Sequence, residues 1–294
     1  MSANQISESY DFSKPIITTP VEKTSLLEKP VEANRNKVNA HLVSLLDPNC
    51  LEAEYYRRVR HTIECIPKVS PHKGTIIAIC SPGAGDGKTI TSINVAGAMA
   101  QNKDSRVLLV ELDLRKPFVT MKDYLGLGKL EGPGLDDTIL NPNVRSGKDI
   151  PWGKVVRYIT NFNLYYLPSG SIGPVPYEFL KPPRLGELLE AARQRYDYII
   201  LDTPPVVFLP DSQLIEKSVD GVFMVVAAGR TPKKMLEEAL NLMDPAKILG
   251  IIFNGHTPST ILKNGDAYAY MRVRAGLKRG YWWSRMMRKY FTAW

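Results

Sequence analysis

An α/β fold with a mostly parallel sheet and helices on both faces is predicted by three features of the 294-residue sequence. Short apolar runs of strand length, at 75–80, 106–110, 163–168, 198–201, 221–227 and 248–254, alternate with helical patterns after residue 88 and at about 184–195 and 232–243. The run Thr75-Ile-Ile-Ala-Ile-Cys80 ends in a glycine-rich loop, Ser81-Pro-Gly-Ala-Gly-Asp-Gly-Lys-Thr89, which leads directly into a helix. Carboxylates then follow two other runs, Glu111 and Asp113 after one and Asp202 after the other. The C-terminal ends of strands are where open α/β sheets bind ligands, and the alternation of strands with helices implies the parallel arrangement.

The loop has the composition that polyphosphate binding requires. Backbone N–H groups must approach the anion closely, and Gly83, Gly85 and Gly87 both open that space and tolerate the backbone angles. Lys88 brings a point charge, and the following helix turns its N-terminal N–H groups and positive dipole end toward the same anion. The nucleotide-binding segment is therefore read as Gly83, Ala84, Gly85, Asp86, Gly87, Lys88, Thr89 and Ile90, with ATP as the expected ligand. Pro82 stands where the common G-x-x-x-x-G-K-[ST] pattern has its first glycine. Ile90, Ile93, Val95 and Ala98 line the helix beyond.

Thr89 and Asp202 are the expected Mg²⁺ ligands, Asp202 because it ends the buried strand of Tyr198–Leu201 and is followed by the stiff turn Thr203-Pro-Pro205. Glu111 and Asp113 are candidates to orient or deprotonate an attacking hydroxyl or to take part in the Mg²⁺ shell. Asn254, at another strand end, is placed to reach a nucleobase.

Length and composition bound the remaining possibilities. The chain accommodates one large α/β domain with extensions, read as an N-terminal arm (1–36), a nucleotide-binding domain (37–265) and a C-terminal tail (266–294). No apolar run of about eighteen residues is present and no signal-peptide pattern opens the chain, so a cytoplasmic protein is expected. Cys50, Cys65 and Cys80 have no metal-binding spacing and fit a reducing compartment. The net charge of +8 is concentrated between Ala267 and Trp294, which hold seven basic residues and no acidic one, leaving the other 266 residues near +1. No specific nucleic-acid partner is implied.

The arm is rich in Ser, Thr, Glu, Lys and Pro, with isolated apolar residues, a composition that does not offset ordering entropy. A small strand is predicted at His41–Leu46 and a helix from about Leu51 to Ile66. That helix carries Glu54, Arg57 and Arg60 at spacings of three along one side, a solvated face when taken alone. In the tail, Trp282, Trp283, Met286, Met287, Tyr290, Phe291 and Trp294 recur at helical spacing with Arg285, Arg288 and Lys289 opposite. Such a helix suits either an anionic membrane surface or packing on a protein.

From about residue 41 to 270 the sequence resembles the cytoplasmic module of bacterial tyrosine autokinases, P-loop kinases linked to capsule and exopolysaccharide export. The resemblance rests on the loop Ser81–Thr89, on Glu111-x-Asp113-x-Arg115 at the family's D-x-D-x-R, on Asp202-Thr-Pro-Pro205 and on Glu54-x-x-Arg57-x-x-Arg60. Glu111 replaces the family's first aspartate. The resemblance implies that Lys88 contacts the phosphates, that Thr89 and Asp202 hold Mg²⁺, and that Asp113, Arg115 and Glu111 serve the catalytic centre. It implies a ring of subunits packed through Glu54, Arg57 and Arg60, with a tail tyrosine of one subunit phosphorylated by its neighbour. Tyr268, Tyr270, Tyr281 and Tyr290 are the candidate acceptors. It also implies a separate integral membrane polysaccharide-export partner and a peripheral location at the inner face of the membrane.

Two other functions share these motifs. A non-enzymatic, nucleotide-gated regulator of the same export machinery would need the loop but not the tyrosines. A positioning or partitioning ATPase would typically carry a second lysine five residues before Lys88, where this chain has Gly83.

Overall fold

The computed structural model describes residues 28–67, 70, 73–114, 119–141, 143–144, 146–170 and 183–255. Its strands are β1 (Lys29–Val31), β2 (Thr75–Cys80), β3 (Val107–Glu111), β4 (Arg157–Ile159), β5 (Leu164–Leu167), β6 (Tyr198–Asp202), β7 (Gly221–Ala227) and β8 (Ile248–Asn254). They form one sheet in the order β1-β4-β5-β3-β6-β2-β7-β8. Every pairing is parallel except β4 with β5. The predicted fold class is the one observed: the strands β2, β3 and β7 are buried along their whole length, as expected for a parallel sheet covered on both faces.

The α-helices are α1 (Val43–Leu46), α2 (Leu51–Glu64), α3 (Lys88–Ala100), α4 (Met121–Tyr124), α5 (Leu135–Leu140), α6 (Trp152–Val155), α7 (Arg184–Arg193), α8 (Asp211–Glu216) and α9 (Lys233–Asn241). Alternation along the strands divides the core in two. Ile76, Ala78, Leu108 and Val110 face α7 through Leu185, Leu188 and Leu189, whereas Ile77, Ile79, Val107 and Leu109 face Ile93 and Met99 of α3.

Helix α3 lies between the sheet and α1 and α2, which explains its run of small residues. Its polar side chains are used inside the protein. Asn94 accepts from Ser44 N–H at 2.9 Å and donates to the His41 carbonyl at 2.9 Å. A Cβ on Gly97 would stand 2.7 Å from Leu45 Cδ2, so the glycine sets how closely α1 approaches.

Two local expectations change. Residues 43–46 are helical, not a strand. The apolar pattern was compatible with both; burial of Leu42 and Leu45 against α3, with Asn94 satisfying an N-terminal N–H of α1, decides for the helix. The reading of 1–36 as an arm does not hold for residues 28–36, because β1 pairs with β4 and Arg35–Lys37 forms a 3₁₀ turn. Glu28 anchors this segment: its carboxylate is buried and accepts from the Tyr196 hydroxyl at 3.0 Å. Three residues suffice for the strand because its hydrogen bonds are tied to a buried side-chain contact far away in sequence.

Candidate functional site

The centre of the site is the turn from β2 into α3. Gly85 and Gly87 have φ angles of 81° and 97°, in the left-handed region that favours glycine, and Gly87 is the residue preceding the first turn of α3. Two of the three loop glycines thus take angles that favour glycine, whereas Gly83 does not. Ala84 and Gly85 are exposed at its rim, Asp86, Lys88 and Thr89 are buried, and Ile90 is partly buried against the core.

Asp86 braces the loop internally. One carboxylate oxygen accepts from Gly83 N–H at 3.0 Å and the other from the Thr231 hydroxyl at 2.8 Å. Asn254, at the end of β8, donates through Nδ2 to the Asp86 carbonyl at 3.0 Å. A Cβ on Gly87 would fall 1.8 Å from that Nδ2. Asn254 therefore lies against the phosphate loop, with its amide nitrogen committed to the backbone.

Asp202 ends β6 and is fully buried. Its carboxylate accepts from Thr89 Oγ1 at 2.7 Å and from Ser92 Oγ at 3.3 Å. Ser92 lies one turn beyond Lys88, whose carbonyl it also engages at 2.9 Å. Sequence reasoning missed it, although its position three residues after Thr89 puts both hydroxyls on one face of the helix. Among the described residues no group of three or more His, Cys, Asp or Glu side chains is arranged to hold a metal. The oxygen pair Thr89–Asp202 is hard and compact, the donor set of an ion that takes one or two protein oxygens and completes its shell with phosphate and water.

The acidic motif after β3 divides in two. Glu111 pairs in register with Asp202 across β3 and β6, yet its carboxylate is turned to the scaffold. It accepts from Met121 N–H at 2.7 Å, from the Tyr166 hydroxyl at 2.7 Å and from Ser169 N–H at 3.3 Å. Burial and the adjacent carboxylate push the Tyr166 phenol well above its ordinary range, so it stays a neutral donor. The structure does not bring Glu111 to the phosphate loop through any of these bonds. Asp113 is buried just past the strand end, and Arg115 lies outside the described residues. The nearby Cys80 thiol is pushed up to about 12 by burial and is unsuited to thiolate chemistry.

On α2, Arg57 pairs with Glu54 at 2.7 Å and donates to the Pro48 carbonyl. Arg60 pairs with Glu64 at 2.7 Å and donates to the Ala98 carbonyl at 3.1 Å. The triplet is half exposed, with both arginines bonded within their own subunit. Tyr268, Tyr270, Tyr281 and Tyr290, together with the amphipathic pattern of the tail, lie outside the described residues.

A parallel sheet, a glycine loop opening a helix, and a Thr–Asp pair beside a buried lysine define a nucleotide-binding protein of the P-loop class. Residues 74–228 match the AAA domain family. The chain is 31% identical over 222 residues to tyrosine-protein kinase YwqD of Bacillus subtilis, covering 75% of this chain and 88% of the relative. It is 32% identical over 203 residues to tyrosine-protein kinase CpsD of Streptococcus agalactiae, covering 68% and 81%. In fold it resembles the kinase domain of the Escherichia coli tyrosine kinase ETK, with a TM-score of 0.64 at 22% identity over 80% of this chain and 91% of that one. The chain belongs to the bacterial tyrosine-protein kinases of the P-loop type.

Among the described residues no helix is long and apolar enough to cross a membrane.

Proposed function

We propose that this protein is an ATP-dependent protein-tyrosine autokinase that regulates assembly and export of an exopolysaccharide or capsule. The observation that carries the reading is the 2.7 Å pairing of Thr89 with the fully buried Asp202, next to Lys88, in a chain of this family. The loop N–H groups and Lys88 hold the phosphates. Thr89 and Asp202 supply the protein oxygens for Mg²⁺, which when bound neutralises charge on the outer phosphates. Asp113 is assigned to the incoming tyrosine hydroxyl. A loose phosphoryl-transfer transition state needs alignment and charge neutralisation more than a strong base, so one carboxylate suffices for that role.

Glu111 is assigned an anchoring role instead of a catalytic one. Its commitment to three donors also favours a second reading, a catalytically weak nucleotide-gated regulator, because only Asp113 of the acidic pair is then left to position an acceptor. Phosphotyrosine mapping by mass spectrometry separates the two. Purified protein with Mg²⁺ and ATP, with and without a cytoplasmic segment of the membrane partner, is expected to carry label on Tyr268, Tyr270, Tyr281 or Tyr290. Protein that binds ATP and the partner segment but remains unlabelled supports the regulator.

The tail tyrosines are proposed to be phosphorylated by a neighbouring subunit, and Glu54, Arg57 and Arg60 to pack the subunits of a ring. The double variant Arg57→Ala/Arg60→Ala is expected to shift the nucleotide-bound protein from oligomer to monomer by size exclusion with light scattering. Its stability should fall by about 1 kcal/mol for each partly exposed ion pair removed, and by roughly another 1 kcal/mol for each of the Pro48 and Ala98 carbonyls left without its arginine donor. An unchanged oligomer would remove these residues from the interface.

A further inference from the structure

Arg230 lies in the turn between β7 and α9, and its guanidinium rests against the middle of the phosphate loop. A Cβ on Gly85 would stand 2.5 Å from Nη2 and 3.4 Å from Cζ. The guanidinium thus lies directly over Gly85, a residue whose φ of 81° favours glycine.

The turn is fastened on three sides. The N–H groups of Arg230 and Thr231 both donate to the Ala227 carbonyl, at 3.2 and 3.0 Å, and Ala228 N–H donates to the Asn254 carbonyl at 2.8 Å. The Thr231 hydroxyl reaches Asp86 at 2.8 Å. The arginine therefore projects from a turn bonded to the same loop that its guanidinium overlies.

Charge makes the placement informative. Among the described residues Arg230 takes part in no ion pair. The loop's own carboxylate, Asp86, is engaged by Gly83 N–H and Thr231. A planar guanidinium presents a fork of donors matched to phosphate oxygens, and here it borders a loop whose backbone already favours anions.

We propose that Arg230 is a phosphate-contacting residue of the nucleotide site, adding a second positive charge to that of Lys88 when a nucleoside di- or triphosphate is bound. The inference rests on the nucleotide-site reading and extends it to a residue outside the loop motif. Arg230 is exposed, so its replacement is expected to leave folding intact.

The test is calorimetric titration of the full chain with ADP and ATP, for wild type, Arg230→Gln and Arg230→Lys, with melting temperatures recorded alongside. Loss of a charge-assisted contact should weaken both nucleotides by about tenfold or more in the glutamine variant, with partial recovery in the lysine variant. Inorganic tripolyphosphate, competing against a fluorescent ADP analogue, should lose affinity in the same order, because the contact is to phosphate. Wild-type binding with an unchanged Kd in Arg230→Gln overturns the assignment alone. So does a loss confined to the nucleotides with tripolyphosphate unaffected, which would place Arg230 on the base or sugar. A wild-type protein that binds neither nucleotide overturns the nucleotide-site reading and this inference together.

Discussion

Asp202→Asn is expected to reduce Mg²⁺-dependent phosphoryl transfer by about 100-fold or more while leaving the fold in place. Asparagine keeps the volume at the end of β6, and the hydroxyls of Thr89 and Ser92 can rotate to donate to its oxygen or accept from its nitrogen. What disappears is the negative charge in a fully buried position. Nucleotide binding without Mg²⁺ should therefore change by no more than about threefold, since the loop N–H groups and Lys88 are untouched. Measuring initial rates of phosphotyrosine formation at saturating ATP over a range of Mg²⁺ concentrations checks this. Equal rates for wild type and variant would mean that Asp202 only secures the hydroxyls of α3.

Glu111→Ala is expected to act on stability first. Removing the carboxylate leaves the Tyr166 hydroxyl and the N–H groups of Met121 and Ser169 without their acceptor in a buried site. Each orphaned group costs roughly 1–3 kcal/mol, and the sum, after partial relaxation, is about 3–5 kcal/mol. For a chain of this size that lowers the melting temperature by on the order of 10 °C. Glu111→Asp should be intermediate, because a side chain one methylene shorter does not span the donors from α4, β5 and the segment after β5. Thermal unfolding followed by circular dichroism is the measurement. An Ala variant that melts like wild type yet has lost phosphoryl transfer would return Glu111 to a catalytic role.

These two residues show what the sequence could and could not disclose. A carboxylate at a strand end is visible as such, and the strand–loop–helix order around Lys88 was legible because the chemistry of phosphate binding constrains both composition and sequence. The alternating runs likewise revealed the sheet, since buried parallel strands have few ways to be written. Glu111 and Asp202 look alike in this respect, and only the donors brought by α3 to one and by α4 and β5 to the other distinguish them. The same holds for residues 43–46, whose apolar pattern fits strand or helix until Asn94 is placed. β1 escaped notice because its anchoring depends on Tyr196, 168 residues beyond Glu28. Arg230 belongs to no local pattern, and it becomes informative only when Gly85 is found beneath it.

Transfer between subunits tests the account most directly. Two full-length proteins are mixed with Mg²⁺ and γ-labelled ATP: one has Tyr268, Tyr270, Tyr281 and Tyr290 replaced by Phe, and the other carries Lys88→Met with its tyrosines intact. The first retains the phosphate loop and lacks the proposed acceptors; the second retains the acceptors and lacks the lysine charge. Label on the tail of the Lys88→Met protein, present in the mixture and absent from either protein alone, is the predicted result. Label on the Lys88→Met protein incubated alone, or none in the mixture when wild type labels itself, would contradict a P-loop kinase that phosphorylates its neighbour.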